Sequence, residues 1–198
     1  MKIFKRPSRG FTLIELLVTL TIAATLAAVA VPSVQSFLRN NELTAASSTL
    51  LTAINTARME AIKSGQSTML EPVDSAGSWS QGWIVFVDKN RNQTYTSGTD
   101  TLITQHPAVS SYFTVVGNNT ATGTTPYILF DASGYAKTKA NAFGGLTLNV
   151  QRNDVSGAEQ LAQTRRVIIA NTGRARVCKP QSDTDANCKA SDTASDTQ

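Results

Sequence analysis

Gly10-Phe11-Thr12-Leu13-Ile14-Glu15-Leu16-Leu17 opens an apolar run that continues to Val31. Across Phe11 to Val31 the one ionisable side chain is Glu15. A helix rising about 1.5 Å per residue needs about 20 residues to cross a bilayer core of roughly 30 Å, so the run reads as a membrane-spanning helix. Lys2, Lys5, Arg6 and Arg9 precede it. The positive-inside rule holds such residues in the cytoplasm and sends everything after Val31 to the periplasmic or extracellular side. The competing reading is a cleaved secretory signal, for which Ala28-Val29-Ala30 supplies an A-x-A site. Two features oppose it. The run exceeds the 7 to 15 residues usual in a signal's apolar region, and a carboxylate in lipid costs about 2.5 to 3.5 kcal/mol unless it finds a partner.

The four basic residues ahead of the run also decide how the charge is read. They are four of 18 in the chain, leaving 14 basic against 14 acidic side chains in the remainder, so the net charge of +4 belongs to the leader. Any interaction with nucleic acid must then rest on local clustering and not on the charge of the whole. A length of 198 residues with 41% hydrophobic side chains suits one domain plus a dedicated segment. It excludes collagen-like, purely coiled-coil and fully disordered chains.

Gly10-Phe11-Thr12-Leu13-Ile14-Glu15-Leu16-Leu17 resembles the processing motif of type IV prepilins and type II secretion pseudopilins. The resemblance implies that a prepilin peptidase cuts after Gly10, that Phe11 becomes the methylated N-terminus, and that the apolar helix is retained. Glu15 would then neutralise the α-amino group of Phe11 on a neighbouring subunit inside a filament, turning a costly buried charge into a register device.

Beyond Pro32, the residues Leu43, Ala46, Leu50, Ile54, Ala57 and Ala61 recur at helical spacing, while Arg39, Asn40, Glu42, Asn55 and Glu60 stay off that stripe. Lys63 and Gly65 supply a stop signal, so one helix is expected over about 11–64. Pro32 marks either a kink or the exit from the membrane. From residue 66 the pattern becomes short β-rich runs separated by Gly, Asn, Asp and Ser clusters. They are Ser67 to Leu70, Trp83 to Val87, Thr101 to Gln105, Ser111 to Val116, Tyr127 to Phe130, Leu146 to Gln151 and Arg166 to Ala170. The expected class is α+β, the type IV pilin fold, with a long helix packed on antiparallel sheet. The expected divisions are a leader over 1–10, a transmembrane or filament-core helix over 11–31, its amphipathic continuation over 32–65, a periplasmic β-rich domain over 66–180, and a polar tail with a cysteine loop over 181–198.

Within that domain, Trp83-Ile84-Val85-Phe86-Val87-Asp88-Lys89-Asn90-Arg91-Asn92, Phe130-Asp131-Ala132-Ser133-Gly134 and Asn171-Thr172-Gly173-Arg174 are similar to the strand-and-turn signals of the GspH/FimT branch of minor pilins. The resemblance thus extends from residue 10 to about 177.

Catalytic apparatus is not visible: His106 is the single imidazole, and no Gly-x-Ser-x-Gly or phosphate loop occurs. No cofactor is expected. Asp88, Asn90 and Asn92 have the 1-3-5 spacing of a calcium loop, but Gln93 stands where glycine is required and Thr99 where glutamate is. An Asx-rich turn explains them better, and no metal is assigned. Cys178 and Cys188, on the far side of a membrane segment, are expected to form a disulfide.

Arg165, Arg166, Arg174, Arg176 and Lys179 fall between Gln160 and Pro180, a stretch without an acidic residue. In a strand, Arg174 and Arg176 share one face, where they can straddle a phosphate backbone that Gly173 lets approach. Gly173-Arg174-Ala175-Arg176 is similar to the GRxR motif of DNA-binding FimT-type minor pilins. The resemblance implies a FimT-like minor pilin of pilus biogenesis and natural transformation, a non-enzyme whose partners are prepilin peptidase, other pilins, the inner membrane and non-specifically bound double-stranded DNA. The rival readings are a GspH-like pseudopilin of type II secretion, a FimU-like minor pilin that primes assembly without DNA, and a secreted enzyme. The plainer accounts of the arginines are a basic edge strand that merely discourages pairing and a set of ion pairs to a neighbouring pilin.

Overall fold

The computed structural model describes residues 10–188. The basic leader before Gly10 and the polar tail after Cys188, about which the sequence made its own predictions, lie outside the described residues. The chain divides into two compact units, one ending at Asn41 and one starting at Glu42.

Helix α1 (Leu13–Ser64) begins at a reciprocal cap that the sequence reading passed over. Glu15 Oε2 accepts from the Thr12 amide at 2.9 Å and from the Thr12 hydroxyl at 2.8 Å, and the Glu15 amide donates to Thr12 Oγ1 at 3.3 Å. Thr12-Leu13-Ile14-Glu15 is a capping box, which satisfies amides at the helix start that have no partner within the helix. The helix runs through position 32 without a break, so Pro32 does not interrupt it. One proline removes a single hydrogen bond, and the alanines at 27, 28 and 30 favour helix on its N-terminal side.

In the first unit, the most apolar stretch of α1 buries nothing within the chain, and Phe11, Leu13 and Val29 are each more than three-quarters exposed. It is the one described helix long and apolar enough to cross a membrane.

In the second unit, Leu43, Leu50, Ile54, Ala57 and Ala61 of the stripe foreseen from spacing are buried in the core, Ala46 packs against it half-buried, and Ala53, which was not in that stripe, is buried as well. Gly65 closes the helix with φ +66° and its amide bonded to the Ala61 carbonyl at 3.0 Å, a conformation that glycine adopts without strain. Among the described residues nine strands follow in two antiparallel sheets. The first, in spatial order, holds β3 (Thr101–His106), β2 (Trp83–Val87), β1 (Thr68–Pro72), β5 (Ile128–Phe130) and β6 (Ala136–Lys137). The second holds β4 (Phe113–Gly117), β7 (Leu146–Arg152), β8 (Thr164–Ile169) and β9 (Ala175–Cys178). Leu70, Trp83, Val85, Ile128 and Phe130 from the first sheet and Phe113, Leu146, Leu148, Val167 and Ile169 from the second meet the α1 stripe in one core. Met69, Phe86 and Leu129 form a smaller cluster with Tyr95 and Tyr127 packed against it.

The expected strands are all present, Trp83–Val87 with the bounds foreseen and the others with shifted ends, and several shifts have local causes. Ser111 and Tyr112 belong to a turn closed by the Phe113 amide on the Ser110 carbonyl, so β4 starts later. Tyr127 spends its amide on Thr120 and stays outside β5. Ala170 donates to Arg174 across a tight turn, while β8 extends back to Thr164. Elements not foreseen among the described residues include the two-residue β6, three single-turn 3-10 helices, and helix α2 (Gly157–Ala162), whose six residues are too few for a periodic signal.

Candidate nucleic-acid interface and processing motif

β9 is the edge strand of the second sheet and pairs with β8 alone, matching Ile168 with Arg176 and Ile169 with Ala175. Ala175 and Val177 pack against the core, so alternation turns Arg176 outward, and Arg174 and Lys179 are exposed as well. Among the described residues none of these three cations has an acidic partner within ion-pair distance.

The turn that delivers Arg174 is fixed from the other side. Gly173 adopts φ +79° and is buried, and a Cβ there would stand 1.8 Å from the Gly134 carbonyl oxygen. Arg58 on α1 reaches both turns, its Nε donating to the Gly134 carbonyl at 3.0 Å and its Nη2 to the Thr172 carbonyl at 3.2 Å. Two consequences follow for the sequence-based site. Gly173 is needed by the fold, pressed between two turns, and is not open for a phosphate backbone to approach. Arg58, which spacing alone did not single out, positions the Asn171–Arg174 turn.

The two arginines of β8 do not join the exposed set. Arg166 is buried on the outer face of the sheet, donates through Nη1 to the Cys188 carbonyl, and lies 3.9 Å from the exposed Asp183 carboxylate. Period-two alternation sends Arg165 to the opposite face, where it is half-buried and donates to the Thr164 carbonyl at 2.9 Å. Burial pushes the Arg165 guanidinium below its usual pKa. As DNA contacts, Arg166 is withdrawn by its burial and Arg165 is compromised by its bonding.

Cys178 and Cys188 form the expected disulfide, with Cα atoms 5.8 Å apart. The loop it closes has its own brace. Asp185 accepts from the amides of Gln181 at 3.1 Å and Asn187 at 3.0 Å, and these bonds hold its carboxyl below the usual carboxylate range. The disulfide therefore serves two ends, anchoring β9 and placing the Cys188 carbonyl over Arg166.

In the loop after β2, Asp88 is buried and spends its carboxylate on the amides of Asn92 and Gln93, while Asp100 accepts from Lys89 and Thr96. Oxygens committed to the loop's own amides make this an Asx-rich turn. At the other end of the chain, Gly10 and Phe11 are exposed and precede the first turn of α1, which leaves the Gly10–Phe11 bond outside regular structure.

Residues 46–173 match the profile of a family described as Type II transport protein GspH, and residues 5–31 match the prokaryotic N-terminal methylation motif. The chain belongs to the GspH/FimT family of pilin-like proteins. It is 32% identical over 172 residues to the pilin-like protein PilA1 of Thermus thermophilus, covering 85% of this chain and 97% of that protein. The fold is that of the type IV minor pilin FimU of Pseudomonas aeruginosa (TM-score 0.54, 19% identity, 74% of this chain and 98% of that one). It also matches the minor pseudopilin EpsH of the Vibrio cholerae type 2 secretion system (TM-score 0.50, 14% identity, 71% and 99%). This GspH/FimT-family chain is thus pilin-like, and its methylation motif implies processing by prepilin peptidase and assembly with other pilins. The apolar N-terminal helix fits membrane anchoring before assembly.

Proposed function

We propose that this GspH/FimT-family protein is a FimT-like minor type IV pilin of natural transformation, which holds double-stranded DNA without sequence preference on the β9 edge. The observation that carries the reading is the pair of exposed arginines, Arg174 in the braced turn just before β9 and Arg176 on that edge strand, without acidic partners among the described residues. Lys179 extends the same basic line. Contacts of this kind neutralise phosphates and read no bases, so affinity is expected to be micromolar or weaker and strongly dependent on salt. Cleavage after Gly10, methylation of Phe11, pairing of Glu15 with a neighbour's amine, and a periplasmic position for the domain from 42 onward belong to the same proposal.

Titration of the full-length protein in detergent against fluorescent duplex DNA tests it. About three neutralised phosphates give a log-log salt slope near −2.7, or roughly fortyfold weaker binding between about 50 and 200 mM salt. The double variant Arg174→Ala, Arg176→Ala is expected to lose most of the affinity and keep its fold. Absence of duplex binding at low salt, or equal binding by the double variant, removes the DNA role. The second reading, a type II secretion pseudopilin, is favoured by the family profile over 46–173 and takes its place in that event.

A further inference from the structure

Two aromatic rings lie outside the core beside the arginine turn. Tyr135 is 42% exposed and Phe143 is 59% exposed, their ring centroids 5.9 Å apart and inclined by 62°. The buried aromatic side chains Trp79, Trp83, Phe86, Phe113 and Phe130 all fill the core. Ala136 is fully buried between Tyr135 and Lys137, so alternation sends those two side chains to the same outer side. Lys137 Nζ sits 4.1 Å from the centroid of Phe143, a cation over a π face.

Backbone contacts place this pair next to the β8–β9 turn. The Ala136 amide donates to the Asn171 carbonyl at 3.1 Å, Gly145 donates to the Asn171 side chain at 2.8 Å, and the Gly134 carbonyl is the group pressed on Gly173. The segment carrying Tyr135 therefore runs alongside 171–173, and Arg174 is the next residue out. Asp131, the acid nearest in sequence, is spent on the amides of Ser133 and Tyr135 at 2.9 and 3.0 Å.

We infer that Tyr135 and Phe143, flanked by Lys137, form a stacking platform for the bases of single-stranded nucleic acid whose phosphates follow Arg174 and Arg176. Exposed rings beside a line of unpaired cations are complementary to a strand that offers both base faces and phosphates. A duplex hides its base faces, so the rings are idle toward it. The inference rests on the reading of β9 as a DNA-binding edge and names the form of nucleic acid which that edge, extended by the rings, takes best.

The test uses full-length protein in detergent with three labelled probes at low salt: an oligo-dT strand of about 20 nucleotides, an abasic strand of equal length, and a blunt duplex. Oligo-dT is expected to bind about tenfold tighter than the abasic strand. The variant Tyr135→Ala, Phe143→Ala is expected to erase that margin while changing abasic and duplex binding by less than about twofold, and Phe143→Trp to retain it. Arg174→Ala, Arg176→Ala weakens all three probes. Equal binding of oligo-dT and the abasic strand, or unchanged oligo-dT binding by the aromatic double variant, overturns the platform and leaves the duplex reading standing. So does an aromatic double variant that binds oligo-dT normally but fails to enter filaments, which assigns the rings to a protein contact. Failure of the wild type to bind any probe removes the β9 reading and the platform with it.

Discussion

The two units of this chain are stabilised by different surroundings. From Phe11 to Val31 the side chains are overwhelmingly apolar and exposed, and the side-chain hydrogen bonds over 12–25 are the local ones of a helix and its cap. From Glu42 onward the chain supplies its own partners: one core shared by helix and both sheets, braced turns and a disulfide. The same helix crosses from one regime to the other without a break. A large exposed apolar surface is a surface meant for something else, here lipid and then other subunits. Substitutions in the first unit should accordingly register in assembly, and substitutions in the second in folding.

The largest expected effect is on the assembly side. Glu15→Val removes the charge, and with it both the insertion cost and the device proposed to pair with a neighbour's amine. The variant is expected to insert into membranes at least as well as the wild type and to be nearly absent from filaments, as measured by its share in sheared pili. Normal incorporation would leave Glu15 with the capping box alone.

A matched pair of leucines tests the folding side. Leu50→Ala opens the core and is expected to cost about 2 to 5 kcal/mol, whereas Leu26→Ala, at a position 67% exposed, should leave the domain's denaturation midpoint unchanged. Near-UV circular dichroism from the buried Trp79 and Trp83 reports the transition. An equal loss from both would mean that the two units fold as one.

Removing the disulfide by Cys178→Ser, Cys188→Ser is expected to cost roughly 2 to 3 kcal/mol through loop closure in the unfolded chain. It should also free Arg166 from the Cys188 carbonyl, so faster amide exchange is expected in β8 and β9, with β1 and β2 unaffected. Uniform acceleration across both sheets would contradict a local role for the bridge.

The smallest effect is a titration. The bonds from Gln181 and Asn187 hold the Asp185 pKa below its unfolded value, so its stabilising contribution is present above about pH 4 and is lost as pH falls through the folded pKa. Amide resonances of Gln181 and Asn187 should shift below about pH 4 and stay constant between about pH 5 and 8. A shift centred near neutrality would point to another group.

What could be read from sequence divides along similar physical lines. The α1 stripe and seven of the strands were legible because burial imposes a period on residues such as Leu43, Leu50 and Ile54. The capping box was present in plain letters as Thr12-x-x-Glu15, but the stronger signal of a carboxylate in an apolar run drew the reading to Glu15 alone. β6 and α2 are too short to impose a period. Arg165 and Arg166 show the deeper limit. Their charge suggested exposure, and only the disulfide loop lying over the sheet reveals that Arg166 is buried. Arg58 was not legible because its function depends on two carbonyls 76 and 114 residues away.

The contact between Gly173 and Gly134 also bears on how relatives diverge. Two backbones that touch leave no room for a side chain, so a glycine is expected to persist at this turn in any descendant that keeps the two turns together, whatever that descendant binds. The arginines that follow carry no such obligation and are free to drift once a lineage abandons its ligand. Inheritance of the glycine therefore records ancestry of the fold, while inheritance of the arginines at 174 and 176 records the task, and a search that demands all three letters together mixes two histories.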